Sequence, residues 1–196
     1  MQDCFETLIS SYIATKVGVV ENFISLPLRI QLAAHLHQLH IDKLLAPAGI
    51  GNIQKLQNNQ AVRKDFIYWL DRKNNNPYET AFLVQIEAFI GYLNESCYAG
   101  ITGYEFHYSF YEKDAFYRKH LDQFQDNSSR QFSLISYLNP EWKLEDGGEL
   151  CVYQEKNIQK ISPSGGTTVF FKSNELLHEV LVTHQPRLSI TGWLKR

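Results

Sequence analysis

The chain is poor in residues that would commit it to several protein classes. Three cysteines, Cys4, Cys97 and Cys151, stand in 196 residues. They are an odd number at spacings that suit no metal knot, which argues against a disulfide framework and fits a reduced compartment. An excess of one charge is also lacking. The 19 Lys and Arg oppose 21 Asp and Glu, for a formal net charge of -2. No basic field is left over for nucleic acid. No apolar run approaches the roughly 20 residues that a membrane-spanning helix needs. The opening residues Met1-Gln2-Asp3-Cys4-Phe5-Glu6 lack the basic and apolar regions of a secretory signal. A soluble cytoplasmic protein that binds neither nucleic acid nor membrane is expected. What remains is ordinary globular composition, 44% hydrophobic and 20% charged, with length for one well-buried core.

The first hundred residues carry helical periodicity. Residues 3 to about 16 place Phe5, Leu8, Ile9 and Ile13 on one helix face. Gly18 to Ile24 reads as a short extended segment. Ser25 is a candidate N-cap with Pro27 just inside a helix that runs to about His40, carrying Leu28, Leu32, Leu36 and Leu39. Ala46 to Asn59 reads as a loop, and Lys73 to Pro77 as a polar connection. From Tyr78 to about Ser96, Phe82, Ile86, Phe89 and Leu93 again mark a helix. After Gly103 the texture changes to short runs of Phe, Tyr, Val, Ile and Thr between turn clusters at Asp126–Ser129, Glu145–Gly148 and Ser162–Gly166. Helices first and short strands second predict an α+β chain with helices packed on a β-sandwich.

His120-Leu121-Asp122, His178 and Arg187 carry the chemistry. Residues i and i+2 of a strand share one face, so His120 and Asp122 are expected side by side. With His178 they make the two-histidine, one-carboxylate set that holds Fe(II) and leaves open positions. A zinc hydrolase also wants three ligands and an open site, but has no particular use for Arg187. That arginine supplies a planar cation suited to an organic carboxylate. Arg187, Ser189, Thr191 and Trp193 share one strand face, Leu188 and Ile190 the other. For His35, His37 and His40 a solvated helix face is the simpler reading. Glu105-Phe106-His107 repeats the spacing with no downstream partner. His184 reads as a turn residue and Cys151 as a small buried one.

Longer runs surround these residues: Phe116-Tyr117-Arg118-Lys119-His120-Leu121-Asp122, Tyr137-Leu138-Asn139-Pro140-Glu141-Trp142, Gly147-Gly148-Glu149-Leu150, Pro163-Ser164-Gly165-Gly166, His178-Glu179-Val180 and Arg187 to Trp193. In order and spacing they resemble the catalytic core of the 2-oxoglutarate/Fe(II)-dependent prolyl 4-hydroxylases. The small bacterial relatives of the hypoxia-inducible-factor prolyl hydroxylases are the most similar. The resemblance implies a double-stranded β-helix (jelly roll) with supporting N-terminal helices. It gives one domain over residues 1–196, with helical support to about 100 and a catalytic core from about 101. It implies Fe(II) on His120, Asp122 and His178. It also implies 2-oxoglutarate on Arg187 and Tyr137, beside Thr191, Ile135 and Leu150. A tyrosine near the metal would be Tyr111, although Phe110 also falls near that point. Residues 46 to 65 would form a mobile lid, with Arg63 and Asp65 bracing it and touching substrate; Lys64 stands where the family commonly has glycine.

The expected reaction is O2-dependent hydroxylation of a prolyl residue at C4, with release of succinate and CO2 and with ascorbate as reductant. The expected partner is a protein with a flexible proline-containing segment rather than a collagen-like repeat. Two other readings stay open: the same chemistry on a free amino acid or other small molecule, and a non-catalytic jelly-roll sensor or binding module.

Overall fold

In a computed structural model, residues 2–49, 61–123, 128–155 and 157–196 are described. Helix α1 spans Gln2–Thr15 and buries Phe5, Leu8 and Ile9. Ile13, predicted on the same face, is 73% exposed. Tyr12 takes the inward place at the i, i+3, i+4, i+7 spacing and meets Phe132 and Phe170 edge-on at 5.9 and 5.4 Å. Strand β1 follows at Gly18–Glu21.

Helix α2 spans Leu26–Ile41, with Pro27 in its first turn, where a missing N–H costs nothing. Ser25 has the extended backbone of a cap, but its hydroxyl makes no capping hydrogen bond. Helix α3, Pro77–Cys97, starts one residue earlier than the pattern predicts. The Asn76 side chain explains that start, because it accepts from the N–H groups of Tyr78 and Glu79. The predicted apolar face of α3 is buried at Phe82, Ile86, Phe89 and Leu93. Phe5, Phe23 and Phe89 form a ring cluster with centroids 5.1–5.7 Å apart.

The remaining strands are β2 (Ala46–Pro47), β3 (Asp65–Trp69), β4 (Gly103–Tyr111), β5 (Tyr117–His120), β6 (Arg130–Tyr137), β7 (Leu150–Gln154), β8 (Asn157–Ile161), β9 (Thr167–Lys172), β10 (Leu177–Val180) and β11 (Arg187–Lys195). A seven-stranded sheet runs β1-β9-β6-β11-β4-β3-β2, and a four-stranded sheet β5-β10-β7-β8. The strand pairings are antiparallel. Three strands of the large sheet thus come from the first hundred residues. The sequence predicts an extended segment at Gly18–Ile24, but it ends the lid at Asp65 and predicts no strand over Phe66–Trp69. The Phe66-Ile67-Tyr68-Trp69 run is strand-forming in composition, and β4 supplies its partner.

The large sheet has two unlike faces because side chains alternate along each strand. Phe106, Tyr108, Phe110, Leu134, Phe170, Leu188, Ile190 and Leu194 pack against the three helices. Tyr111, Ile135, Tyr137, Val169 and Phe171 face the small sheet and meet Leu150, Val152, Ile161 and Val180. This is an α+β fold with a double-stranded β-helix core. Among the described residues no helix is long and apolar enough to cross a membrane.

Two glycines predict opposite outcomes. A Cβ at Gly192 would fall 2.2 Å from the Phe106 ring and 2.3 Å from the Glu105 carbonyl oxygen, whereas one at Gly91 within α3 meets nothing within 4 Å. Gly192→Ala should therefore cost about 1–3 kcal/mol through overpacking. Gly91→Ala should gain roughly 0.5–1 kcal/mol by restricting the unfolded chain. Urea unfolding of both variants checks the sign; a Gly192→Ala protein as stable as the parent would contradict the close packing of Phe106 over Gly192 in the β11–β4 pair.

Candidate metal and co-substrate site

Strands β5 and β10 pair so that His120 lies directly opposite His178. Their ring centroids are 4.3 Å apart. Asp122 is not on the strand face that the i, i+2 spacing predicts, because β5 ends at His120 and the chain bends at Asp122. The bend still returns the carboxylate to the imidazoles. Oδ1 is 3.4 Å from His120 Nε2, and Oδ2 is 3.5 Å from His178 Nε2. The three ligand atoms lie within 4.8 Å of one another. Among the described residues this is the one His/Cys/Asp/Glu group with such spacing.

The tautomers suit a metal. His120 Nδ1 sits 2.7 Å from the Arg118 carbonyl oxygen, and His178 Nδ1 sits 3.0 Å from that of Leu176. A ring nitrogen facing a carbonyl must carry a proton, so in the neutral ring Nε2 has the lone pair that a metal would take. Burial alone would raise the Asp122 carboxyl, but the His178 and His120 imidazoles outweigh it and hold the group well below the usual carboxylate range. Burial and the neighbouring His178 push His120 down. Burial also works against a charged His178, but Asp122 lifts it overall. Two neutral-facing nitrogens and one ionised carboxylate form a donor set that fits Fe(II).

A second polar feature lies in the same sandwich interior. Arg187 is 2% exposed. Its Nε donates to the Gly148 carbonyl oxygen at 2.9 Å. The guanidinium carbon lies 4.9 and 5.0 Å from the ring centroids of Tyr111 and Tyr137. Among the described residues no carboxylate pairs with it. The Tyr137 hydroxyl and the Ser189 Oγ are buried with no hydrogen-bond partner. Burial raises the Tyr137 phenol against the opposing charge of Arg187, so it remains a donor. A buried guanidinium without a counter-charge is costly. An anionic ligand that also accepts from Tyr137 would fit this cage.

The structure places the other predicted residues nearby. Ile135 and Leu150 belong to the apolar cluster that holds Tyr111 and Tyr137. Thr191 stands opposite Ile135 on one side and His107 on the other. Tyr111 faces this interior, whereas Phe110 faces the helices. Arg63 grips Asp65 through two hydrogen bonds of 2.7 and 2.6 Å and lies 4.2 Å over the Tyr117 ring. Tyr117 in turn stacks on His120 at 3.6 Å. Of the predicted lid, residues 50–60 lie outside the described residues.

The histidines set aside in the sequence are engaged elsewhere. His35 bonds the buried Glu79 at 3.1 Å, a pair that helical spacing within α2 could not reveal. His40 stacks on Phe110 at 4.1 Å. Glu105 is taken by Arg130 and Lys195. Burial drives His107 down to about 4. His184 lies in the turn before β11, and Cys151 is buried. Sequence reasoning missed Arg130 and Ser133, which bond Asp122 at its carbonyl and its carboxylate. Alternation along β6 was the available signal, since it puts Ser133 on the face of Ile135 and Tyr137.

Comparison with known proteins agrees with this geometry. Residues 106–195 match the family model of the 2OG-Fe(II) oxygenase superfamily. A crystal structure of a Pseudomonas putida prolyl-4-hydroxylase is 28% identical, with a TM-score of 0.88 and 98% of each chain covered. A Trichoplax adhaerens prolyl hydroxylase, solved with a hypoxia inducible factor peptide fragment, shares the fold at 21% identity. Its TM-score is 0.87, over 99% of this chain and 90% of that one. Xenopus laevis prolyl 3-hydroxylase OGFOD1 is 35% identical over 75 residues, which span 33% of this chain and 15% of that protein. Residues 106–195 therefore match a 2OG-Fe(II) oxygenase domain, in a chain whose whole fold is shared with the bacterial prolyl-4-hydroxylase.

Proposed function

We propose that the chain is a single-domain Fe(II)- and 2-oxoglutarate-dependent dioxygenase that hydroxylates a prolyl residue at C4 in a cytoplasmic protein. The observation that carries the reading is Arg187, buried without a carboxylate partner in the interior that also holds the metal-ligand triad. A metal hydrolase has no need of such a cation, whereas a co-substrate with a free carboxylate does.

His120, Asp122 and His178 would hold the iron. Bound Fe(II) supplies the oxygen chemistry that couples conversion of 2-oxoglutarate to succinate and CO2 with hydroxylation of a substrate C–H bond. The protein supplies binding, orientation and a dry site. Arg187 pairs with the far carboxylate of 2-oxoglutarate, and Tyr137 donates its phenol to the same group. Ile135 and Leu150 wall the pocket, Thr191 lines it, and Tyr111 faces it from β4. Arg63 and Asp65 brace the segment before β3 and contact the substrate. Ascorbate keeps the iron reduced. The whole-length likeness to a prolyl-4-hydroxylase favours C4 over the C3 position named for the shorter match. A flexible proline-containing segment of another protein is the substrate class.

His120→Ala, Asp122→Ala and His178→Ala should each abolish succinate formation and weaken Fe(II) binding. Near-normal turnover in any two of the three would remove the triad. Arg187→Ala leaves one partner of a buried pair unmatched, a loss of about 2–5 kcal/mol. At about 1.4 kcal/mol per decade the 2-oxoglutarate requirement should rise by at least about tenfold, while Fe(II) affinity stays near the parent's. Arg187→Lys should recover only part, because a point charge lacks the planar fork. Unchanged 2-oxoglutarate binding in Arg187→Ala would move the carboxylate anchor elsewhere. Mass spectrometry of cellular proteins with and without the enzyme should find a proline gaining one oxygen atom; enzyme-dependent oxidation confined to small molecules would overturn the protein substrate.

A further inference from the structure

Asp122 poses a positional problem. It lies beyond the end of β5, so no strand ladder fixes it. Three contacts from neighbouring elements hold it instead. Arg130, at the start of β6, donates to the Asp122 carbonyl oxygen at 3.1 Å. The next backbone N–H, that of Gln123, donates to the Ser173 carbonyl oxygen at 3.1 Å. Ser133 Oγ donates to Asp122 Oδ2 at 2.6 Å, a short charge-assisted bond. The Ser173 hydroxyl lies 2.9 Å from that of Ser133. The side chains of Asp122, Ser133 and Ser173 are buried.

The direction of this relay is forced. A serine hydroxyl has one proton to give. Ser133 spends its own on Asp122, so the bond between the two hydroxyls must be donated by Ser173. The chain runs Ser173 to Ser133 to Oδ2, and each bond polarises the next toward the carboxylate.

Resting on the reading that the triad holds Fe(II), we propose that Ser133, backed by Ser173, is a positioning residue that fixes the Asp122 carboxylate so that Oδ1 is its ligand atom. The hydrogen bond engages Oδ2 and opposes chelation through both oxygens. The carboxylate then takes one coordination position, and the remaining positions stay open for co-substrate and oxygen. The contacts of Ser133 run to Asp122 and Ser173. The effect of both serines passes through Asp122.

The test uses the full chain and Co(II) alone, a stand-in for Fe(II) with visible absorption that needs no turnover. Partners of metal ligands typically contribute about 10–100-fold in affinity. Ser133→Ala should lower Co(II) affinity by about that factor and shift the Co(II) absorption bands; the metal-free melting temperature falls as well, because a buried bond to a charged group is lost, so the two metal readouts decide. Ser133→Thr, which keeps the hydroxyl, should bind within about threefold of the parent, and Ser173→Ala should fall between the two. A purely structural serine would shift the metal-free melting temperature and leave Co(II) affinity and spectrum unchanged, and that result overturns the proposal. If Ser133→Ala does not fold, Ser173→Ala decides, since it removes the outer donor without touching Asp122. Parent-like affinity and spectrum there overturn the relay. Failure of the parent chain to bind Co(II) or Fe(II) would instead overturn the metal site itself.

Discussion

The structure depends on the strict alternation of side chains along β4, β6 and β11. Each strand sends one set of residues to the helices and the other to the sandwich interior. On β4, Phe106, Tyr108 and Phe110 go outward while Tyr111 goes inward. On β11, Leu188 and Ile190 go outward, and Arg187 is buried on the opposite face among the rings of Tyr111 and Tyr137. A slip of one residue would put aromatic rings where the ions belong and ions against the helices. Apolar burial on one face thereby fixes the geometry of polar groups on the other.

Those polar groups sit where water cannot compensate them, and the interior is arranged around that cost. The Asp122 carboxylate is balanced by two imidazoles and one serine. Arg187 is balanced by a carbonyl oxygen and two ring faces, which are weaker partners than a carboxylate. The two centres are thus unequally satisfied. One is nearly complete within the chain, and the other leaves a cation and a phenol with capacity to spare. This asymmetry is what the proposed function calls for, a resident metal at the first centre and an exchangeable anion at the second.

Much of this was legible in the sequence. Helix faces follow from spacing alone, as at Phe82, Ile86, Phe89 and Leu93. His120, Asp122, His178 and Arg187 stood out because their spacing and the strand texture agreed. The misses share a cause, which is dependence on partners distant in the chain. Spacing placed Asp122 on a strand, but its position is set by Arg130, Ser133 and Ser173, which periodicity cannot connect to it. Asp65–Trp69 became a strand because β4 lies beside it. Ile13 lost its inward place to Tyr12 because two phenylalanines from β6 and β9 wait on that side. Glu79 lies buried in an amphipathic helix because His35 and Asn74 reach it from other elements.

The helix-facing surface of the large sheet also bears on what can be cut from this chain. The match to the family model begins at residue 106, yet β1 and β3 flank the central strands and come from before that point. A fragment starting there would leave β9 and β4 as open edges, templates for pairing with other chains. It would also uncover Phe106, Tyr108, Phe110, Phe170, Leu188, Ile190 and Leu194 as one contiguous apolar sheet face, which water does not tolerate without aggregation. Where the recognisable sequence starts and where a foldable piece starts are therefore different places, and shortening this protein to its motif would turn an enzyme core into an adhesive.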